Sequence, residues 1–156
     1  MSTYFMGEFK LDKPPTAAQV LILKDFAEDR HDGKGSKCPG AWCQWVPNAN
    51  GSAIIWDDGE KFYNYEHWIE YLIDNYLIPW GYKVNGAVTW DGDEAGDQGT
   101  IDVIDNIVDA YTNSERIKLL EEALDAVLKI VPDKLPLFMG INELLDKKLK
   151  TILAGD

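Results

Sequence analysis

The sequence predicts an α+β fold in which a mostly antiparallel sheet, with elements in the order β-α-β-β-α-β-β, is covered by helices on one face. Short segments rich in β-branched and aromatic residues come in pairs joined by turn-forming residues, and longer segments carry apolar residues at helical spacing. The length of 156 residues, with 46% hydrophobic content, is enough for one core. Because the strands come in hairpin pairs, an antiparallel sheet is favoured over a parallel one.

The first predicted elements are a strand at 4–11 and a helix that begins after Pro15. Thr16 and Gln19 have the spacing of a capping box, in which each side chain bonds the backbone amide of the other. The stretch 32–40, with three glycines, is predicted to be a loop.

A hairpin is predicted next, with strands at 41–46 and 52–56 and a turn that contains Asn-Gly at 50–51. In extended geometry Trp42 and Trp45 point to opposite faces of the sheet. Since a two-layer fold buries only one face, one of these tryptophans is expected in the core. Something else must cover or use the other.

A second helix and a second hairpin complete the predicted core domain. The helix at 64–77 has an apolar stripe that includes Tyr65 and Trp68, with Glu66, Glu70 and Asp74 on the opposite, solvated side, and Pro79 ends it. Strands at 82–90 and 99–105 follow, and the acidic stretch DGDEAGD between them is predicted to be a long hairpin turn.

The residues 113–156 are predicted to be a helical extension, separate from a core domain at 1–112. Thr112 and Glu115 have capping-box spacing, and two amphipathic helices follow, joined by a proline-rich connection. These helices can pack on the sheet, on each other or on a second copy of the chain. A homodimer through 113–156 is one of these arrangements.

The net charge of −12 is concentrated in one part of the chain. Residues 57–109 hold thirteen acids and two bases, whereas the residues from 113 onward are close to neutral. Such a field repels nucleic acids and membrane surfaces and attracts basic protein surfaces. No apolar stretch approaches the roughly 18 residues of a membrane span, and no secretory signal begins the sequence. We therefore expect a soluble cytoplasmic protein that does not bind nucleic acid directly.

No pattern predicts catalysis or a cofactor. Cys38 and Cys43 are expected to be free thiols, and with His31 and His67 they lack the paired spacing of a zinc site. Nucleophile elbows and phosphate-binding glycine loops do not occur. We expect a protein that is not an enzyme and needs no cofactor.

The acidic turn partly resembles a calcium-binding loop. Counted from Asp91, acids occupy positions 1, 3, 7 and 12, but position 5 is Ala95 and the flanks are predicted strands rather than helices. A solvated hairpin turn is therefore favoured, and weak binding of a divalent ion is left open.

Aromatic and acidic side chains gather around the two predicted hairpins and indicate a binding surface. Aromatic residues commonly anchor interfaces, and carboxylates suit a basic partner. Trp56 and Trp68 are expected in the core instead. The candidate binding residues are Trp42, Trp45, Glu60, Tyr63, Trp80, Tyr82, Trp90, Asp91, Asp93, Glu94 and Asp97.

Binding of a small ligand is the alternative interpretation. The tryptophans would line a pocket and stack on a planar molecule such as a nucleotide. Phosphate groups would be repelled by the acids unless lysines converge on the pocket. The candidates for this role are Lys34, Lys37, Lys61 and Lys83.

Three stretches of the sequence, WCQW, WDDGEKFYNYEHWIEYLI and PWGYKVNGAVTWDGDEAGDQGTIDVIDN, carry a resemblance to a family. They resemble a family of small uncharacterised proteins encoded by phages, prophages and bacteria. The likeness covers residues 4–108 and brings no catalytic residues. It implies a phage-type accessory protein inside a bacterial cell that binds a host protein, with inhibition of a host defence or nucleic-acid-handling system as the expected outcome.

Overall fold

The computed structural model describes residues 2–130, 143–151 and 154, in two compact units, Met1–Ala110 and Tyr111–Asp156. We call these the N-terminal unit and the C-terminal unit. The sequence predicted a boundary two residues later, after 112. The elements are β1 (Thr3–Leu11), α1 (Ala17–Glu28), β2 (Trp45–Pro47), β3 (Ala53–Trp56), α2 (Tyr65–Leu72), β4 (Val84–Gly92), β5 (Gln98–Ile104), β6 (Ile107–Thr112), α3 (Asn113–Ile130) and a helix at 143–151, α4.

One six-stranded sheet organises the fold, in the order β2-β3-β1-β4-β5-β6. The pairs β2/β3, β3/β1, β1/β4 and β4/β5 are antiparallel, which confirms the predicted α+β class and antiparallel sheet. The predicted element order was incomplete, because it lacked β6. The predicted helix at 64–77 is α2 followed directly by a π-helical segment at Ile73–Leu77.

The turn between β5 and β6 explains why the last strand was missed. Asp105 and Asn106 both have positive φ angles, 47° and 71°, as the central residues of a type I′ hairpin turn do. This turn usually contains glycine, and the sequence has none here. Asn106 stabilises it from outside, because its side chain accepts from the Val84 amide at 2.7 Å and donates to the Tyr82 carbonyl at 3.1 Å.

The first hairpin is shorter than predicted. The strand expected at 41–46 begins only at Trp45, and Cys43, Gln44 and Trp45 are buried in succession, which an alternating strand does not allow. Trp45 is 1% exposed and Trp42 is 48% exposed. One tryptophan is therefore in the core and the other on the surface, as expected, although Trp42 lies outside the strand.

The central strands bury one face only. In β1, Phe5 and Phe9 are buried, while Tyr4 and Met6 between and beside them are exposed. The buried face forms one cluster with side chains of both helices of the N-terminal unit, so α1 and α2 cover the same face of the sheet. The cluster's contributions from α1, α2 and β4 include Leu23, Trp68, Ile69, Leu72, Val84, Val88 and Trp90.

Two glycines allow the central strands to approach closely. Gly7 in β1 has φ +119° and Gly86 in β4 has φ +152°. A Cβ atom at Gly7 would overlap the carbonyl oxygen of Ala87, and one at Gly86 would overlap that of Glu8. Only glycine fits these two positions without a shift of the neighbouring strand.

The C-terminal unit is built differently. Its first helix begins with the predicted capping box, because the Glu115 carboxylate accepts from the Thr112 amide at 2.8 Å and the Thr112 hydroxyl accepts from the Glu115 amide at 3.1 Å. Among its described residues, at 111–130, 143–151 and 154, none is buried. The predicted second helix is α4, and its outer parts at 141–142 and 152–153 lie outside the described residues. None of the described helices is long and apolar enough to cross a membrane.

Candidate functional site

A cleft of about 290 Å³ opens in the N-terminal unit between the start of β1, the connection from β3 to α2, and the turn from β4 to β5. We call it the acidic cleft. It is lined by Ser2, Thr3, Lys61, Phe62, Tyr63, Asn64, Tyr65, Glu66, Asp93, Glu94 and Asp97.

The first wall of the acidic cleft belongs to the connection at 57–64, which is held in an unusual backbone path. Asp58, Lys61 and Asn64 have φ angles of 61°, 58° and 54°, in the left-handed region that polar residues tolerate best. Asn64 donates its side-chain N–H to the Pro39 carbonyl at 2.8 Å, and buried Gln44 donates to the Glu60 carbonyl at 2.8 Å. These bonds fix the segment that presents Tyr63.

The opposite wall is the acidic turn, which is the hairpin turn that the sequence predicted. The Gly92 amide donates to the Asp97 carbonyl at 2.8 Å, and the Asp97 amide donates to the Glu94 carbonyl at 3.0 Å. Below the turn, Trp90 donates its indole N–H to the Asp97 carboxylate at 3.0 Å. The turn is thus tied to the core through a buried ring.

Tyr65 joins the acidic cleft to the core. Its half-buried ring lies 4.9 Å from the Phe5 ring and 5.5 Å from the Trp90 ring, between centroids. Burial, reinforced by the charges of Glu66 and Asp97, raises the pKa of the Tyr65 hydroxyl to about 12. The hydroxyl therefore stays protonated at neutral pH and keeps a donor.

The charge of the acidic cleft is negative. Glu66, Asp93, Glu94 and Asp97 contribute four carboxylates, and Lys61 is the cation among the lining residues. The Ser2 amide donates to the Asp93 carboxylate at 2.5 Å, and this bond is the largest cause that lowers the pKa of Asp93. Asp93 is therefore ionised at neutral pH, and the site favours cations.

The structure divides the predicted binding residues into three groups. Tyr63, Asp93, Glu94 and Asp97 meet in the acidic cleft. Three aromatic residues lie in the core, and one is half-buried against Tyr76; they are Trp45, Tyr82, Trp90 and Trp80. The remaining three are exposed but do not line the cleft; they are Trp42, Glu60 and Asp91.

The buried aromatic residues use their polar atoms inside the fold. Trp45 donates its indole N–H to the Tyr65 carbonyl at 2.8 Å, and the Tyr82 hydroxyl donates to the Gln19 side chain at 2.6 Å. Their expected role in a binding surface is therefore corrected to a structural one. Phe62, Tyr65 and Glu66 were missed as cleft residues, because Tyr65 fits the apolar stripe of α2 and Glu66 fits its solvated side.

Cys43 and His31 have structural surroundings, whereas His67 lies on the surface. Burial raises the pKa of the Cys43 thiol to about 12, so it is protonated at neutral pH and is a poor nucleophile. His31 stacks on Phe26 with ring centroids 4.0 Å apart, and its Nε2 lies 2.6 Å from the Phe26 carbonyl oxygen. His67 is exposed at the edge of α2, beside Glu70.

Metal ligation has no group to support it in the part of the chain that the structure describes, since no three His, Cys, Asp or Glu side chains converge there. The acidic turn presents its carboxylates to the cleft and to Ser2 rather than to a common centre.

No family model, curated protein or solved structure matches this chain. The resemblance to phage-encoded proteins is therefore still a prediction.

Proposed function

We propose that the protein is a non-enzymatic binding protein whose acidic cleft takes up an arginine- or lysine-bearing segment of a basic partner protein. The observation that carries this proposal is the meeting of an exposed aromatic ring, Tyr63, with the carboxylates of Glu66 and Glu94 in one cleft. Neither wall alone would select a partner.

The chemistry of the acidic cleft suits a guanidinium group. A cation placed over an exposed tyrosine ring gains about 0.5–1 kcal/mol, and a carboxylate beside it accepts its hydrogen bonds. Arginine is favoured over lysine, because its planar group can stack on Tyr63 and bond a carboxylate with the same atoms. The protonated Tyr65 hydroxyl can bond a backbone carbonyl of the same segment.

The cellular role follows from this partner class. Proteins that handle nucleic acids expose basic surfaces, and a cluster of carboxylates competes for those surfaces. Together with the resemblance to phage-encoded proteins, this supports a phage-type accessory protein in the bacterial cytoplasm that modulates a host defence or nucleic-acid-handling protein.

Nucleotide binding is less well supported. The lining of the acidic cleft contains no tryptophan, and of the four lysines considered from the sequence only Lys61 reaches it. A phosphate group there would face four carboxylates, and its repulsion would oppose stacking on Tyr63.

The test is binding of a fluorescein-labelled peptide of about eight residues that contains three arginines, compared with the same peptide in which glutamine replaces arginine. We expect fluorescence anisotropy to detect only the arginine peptide and its affinity to fall with added salt. Glu94→Lys should weaken binding about tenfold, because it places a cation in the acidic cleft.

Asp91→Lys is the matched control, since it makes the same change of charge on the same hairpin but outside the lining of the acidic cleft. We expect it to weaken binding about twofold, through the overall field alone. Equal losses in both variants would contradict a cleft-specific site. Thermal shifts produced by nucleotides but not by the arginine peptide would favour the small-ligand alternative.

A further inference from the structure

A second apolar stripe runs along α3, on a side that does not face α4. The stripe facing α4 includes Leu120 and Leu124, which line a shared cavity with Leu145 and Leu149 of α4. The second stripe, which we call the outer stripe, consists of Leu119, Ala123, Ala126 and Ile130. At 100° per residue its centre lies roughly 120° around the helix from the first.

The outer stripe is exposed in the single chain. Leu119 is 60% exposed and Ile130 is 79% exposed, although both are large apolar residues on a regular helix. Spacings of four, three and four residues are those of the contact positions of a helix pair that packs with a slight supercoil. The stripe is thus shaped for another helix.

The order of residues in the outer stripe matches a second copy of itself in antiparallel orientation. A two-fold axis between Ala123 and Ala126 places Leu119 opposite Ile130 of the second copy, and Ala123 opposite Ala126 of the second copy. The alanines allow the helix axes to approach to the lower end of the usual 8–10 Å, and the large residues close both ends.

The flanking charges agree with the same orientation. Glu122 and Lys129 occupy equivalent positions beside the outer stripe, seven residues apart, and both are exposed. Lys129 also pairs with Asp125 of its own helix, with 3.1 Å between Nζ and the carboxylate oxygen. In the antiparallel pair Glu122 lies next to Lys129 of the second copy, and the two-fold axis repeats this contact. A parallel pair would instead bring two Arg116 side chains together and would leave Glu122 beside Val127.

We propose that the protein forms a homodimer in which α3 packs antiparallel against α3 of a second copy through the outer stripe. The dimer presents two acidic clefts, but its formation does not depend on what they bind. It also accounts for a C-terminal unit in which no described residue is buried within one chain.

The first test is the mass of the full chain in solution, by sedimentation or by light scattering after gel filtration. We expect about 35 kDa, twice the 17.6 kDa of one chain. Ala126→Glu should reduce it to the monomer mass, because it places a charge at the centre of the outer stripe. Ser114→Glu makes the same change of charge at an exposed position about 150° around α3 from the outer stripe and should leave the dimer intact.

The second test distinguishes the orientation by charge reversal. Glu122→Lys and Lys129→Glu should each raise the dimer dissociation constant severalfold, and the double variant should restore it, because both contacts are then re-formed with reversed sign. Circular dichroism should show that all three remain helical, with at most a small loss in the variants that lack Lys129, because its i,i+4 pair with Asp125 is removed. A chain that stays monomeric at 200 μM, a dimer that tolerates Ala126→Glu, or a double variant as weak as the singles would overturn the proposal. Glu94→Lys should leave the dimer unaffected, so this result and that of peptide binding are independent.

Discussion

The two units of this chain carry similar apolar patterns, but among the residues that the structure describes only those of the N-terminal unit include enclosed apolar side chains. In the N-terminal unit Trp45, Trp68 and Phe9 are at most 1% exposed. In the C-terminal unit the best shielded described side chains, such as Leu124 and Leu145, are only half-buried. The difference shows that an amphipathic pattern specifies which side of an element becomes buried, but not what buries it.

All six tryptophans lie between residues 42 and 90, so the stability of the N-terminal unit can be measured apart from that of the C-terminal unit. Tryptophan fluorescence reports on the N-terminal unit alone, whereas far-ultraviolet circular dichroism also reports the helices of the C-terminal unit. The two signals can therefore separate the stabilities of the two units.

The largest effect is expected for Trp45→Ala. Removal of a fully buried tryptophan, together with its bond to the Tyr65 carbonyl, should lower the free energy of unfolding by about 3–5 kcal/mol in a denaturant titration followed by fluorescence. Leu124→Ala, in the C-terminal unit, should change the free energy of unfolding measured by fluorescence by less than about 0.5 kcal/mol. A large fluorescence-detected loss for Leu124→Ala would show that the two units unfold together. If Trp45→Ala does not fold, Trp45→Phe gives the same comparison at smaller cost.

A smaller effect is expected for Gly86→Ala. The new Cβ would overlap the Glu8 carbonyl oxygen and keep a left-handed backbone angle, so a loss of at least about 2 kcal/mol is expected by the same titration. Gly35→Ala is the control, because Gly35 has φ +83° but open space around it. Gly35→Ala should lower the free energy of unfolding by about 1 kcal/mol, from the backbone angle alone. Equal losses would mean that β1 can move away from the new methyl group.

The smallest effects are expected from two aspartates whose pKa values are shifted in opposite directions. Burial, the larger cause, raises the pKa of Asp57 above its usual value, so this residue's contribution to stability is present at low pH and is lost as pH rises through the folded pKa. Asp57→Asn should therefore stabilise the protein at pH 7, by less than about 1 kcal/mol because the group is mostly exposed. Below about pH 3 the carboxyl is protonated in both the folded and the unfolded protein, so the substitution should have no effect on stability there.

Asp93 has the opposite sign. Its pKa is lowered, first by the hydrogen bond from the Ser2 amide, so its contribution is present above the unfolded value and is lost as pH falls through the folded pKa. Asp93→Asn should destabilise the protein at pH 7 and match the unmodified chain at the acid end. Melting temperatures of both variants across pH 2–7 would check this, and two differences of the same sign would contradict it.

The sequence was most informative where a short residue pattern is typical of a single local structure. The capping boxes at Thr16 and Thr112, and the acidic hairpin turn, formed as predicted because few other structures satisfy those patterns. β6 was missed because Asp105 and Asn106 replace the glycine that marks most type I′ turns.

The candidate site was predicted only in part, for a related reason. Sequence spacing assigned Tyr63 and the acids of the turn to a surface, and assigned Tyr65 to the core stripe of α2. In the structure Tyr65 serves both, since its ring packs on Phe5 and the residue also lines the acidic cleft. Conversely, Trp90 is aromatic and lies next to the acidic turn, but its indole N–H is used to hold Asp97. A pattern that weighs residue type alone cannot separate these two uses.

The turn between β2 and β3 has a consequence for the chemical ageing of the protein. Asn-Gly sequences deamidate readily, because the amide nitrogen of the glycine attacks the asparagine side chain. Here the Gly51 amide donates to the Asn48 carbonyl at 3.0 Å, and the Asn50 side-chain oxygen accepts from the Ser52 amide at 3.0 Å and from the Ser52 hydroxyl at 2.6 Å. Both reacting groups are thus engaged in other hydrogen bonds while the turn is closed. Deamidation at Asn50 would accumulate only as fast as the hairpin opens. Its rate of appearance in stored protein, followed by mass spectrometry, would therefore report the rate of hairpin opening.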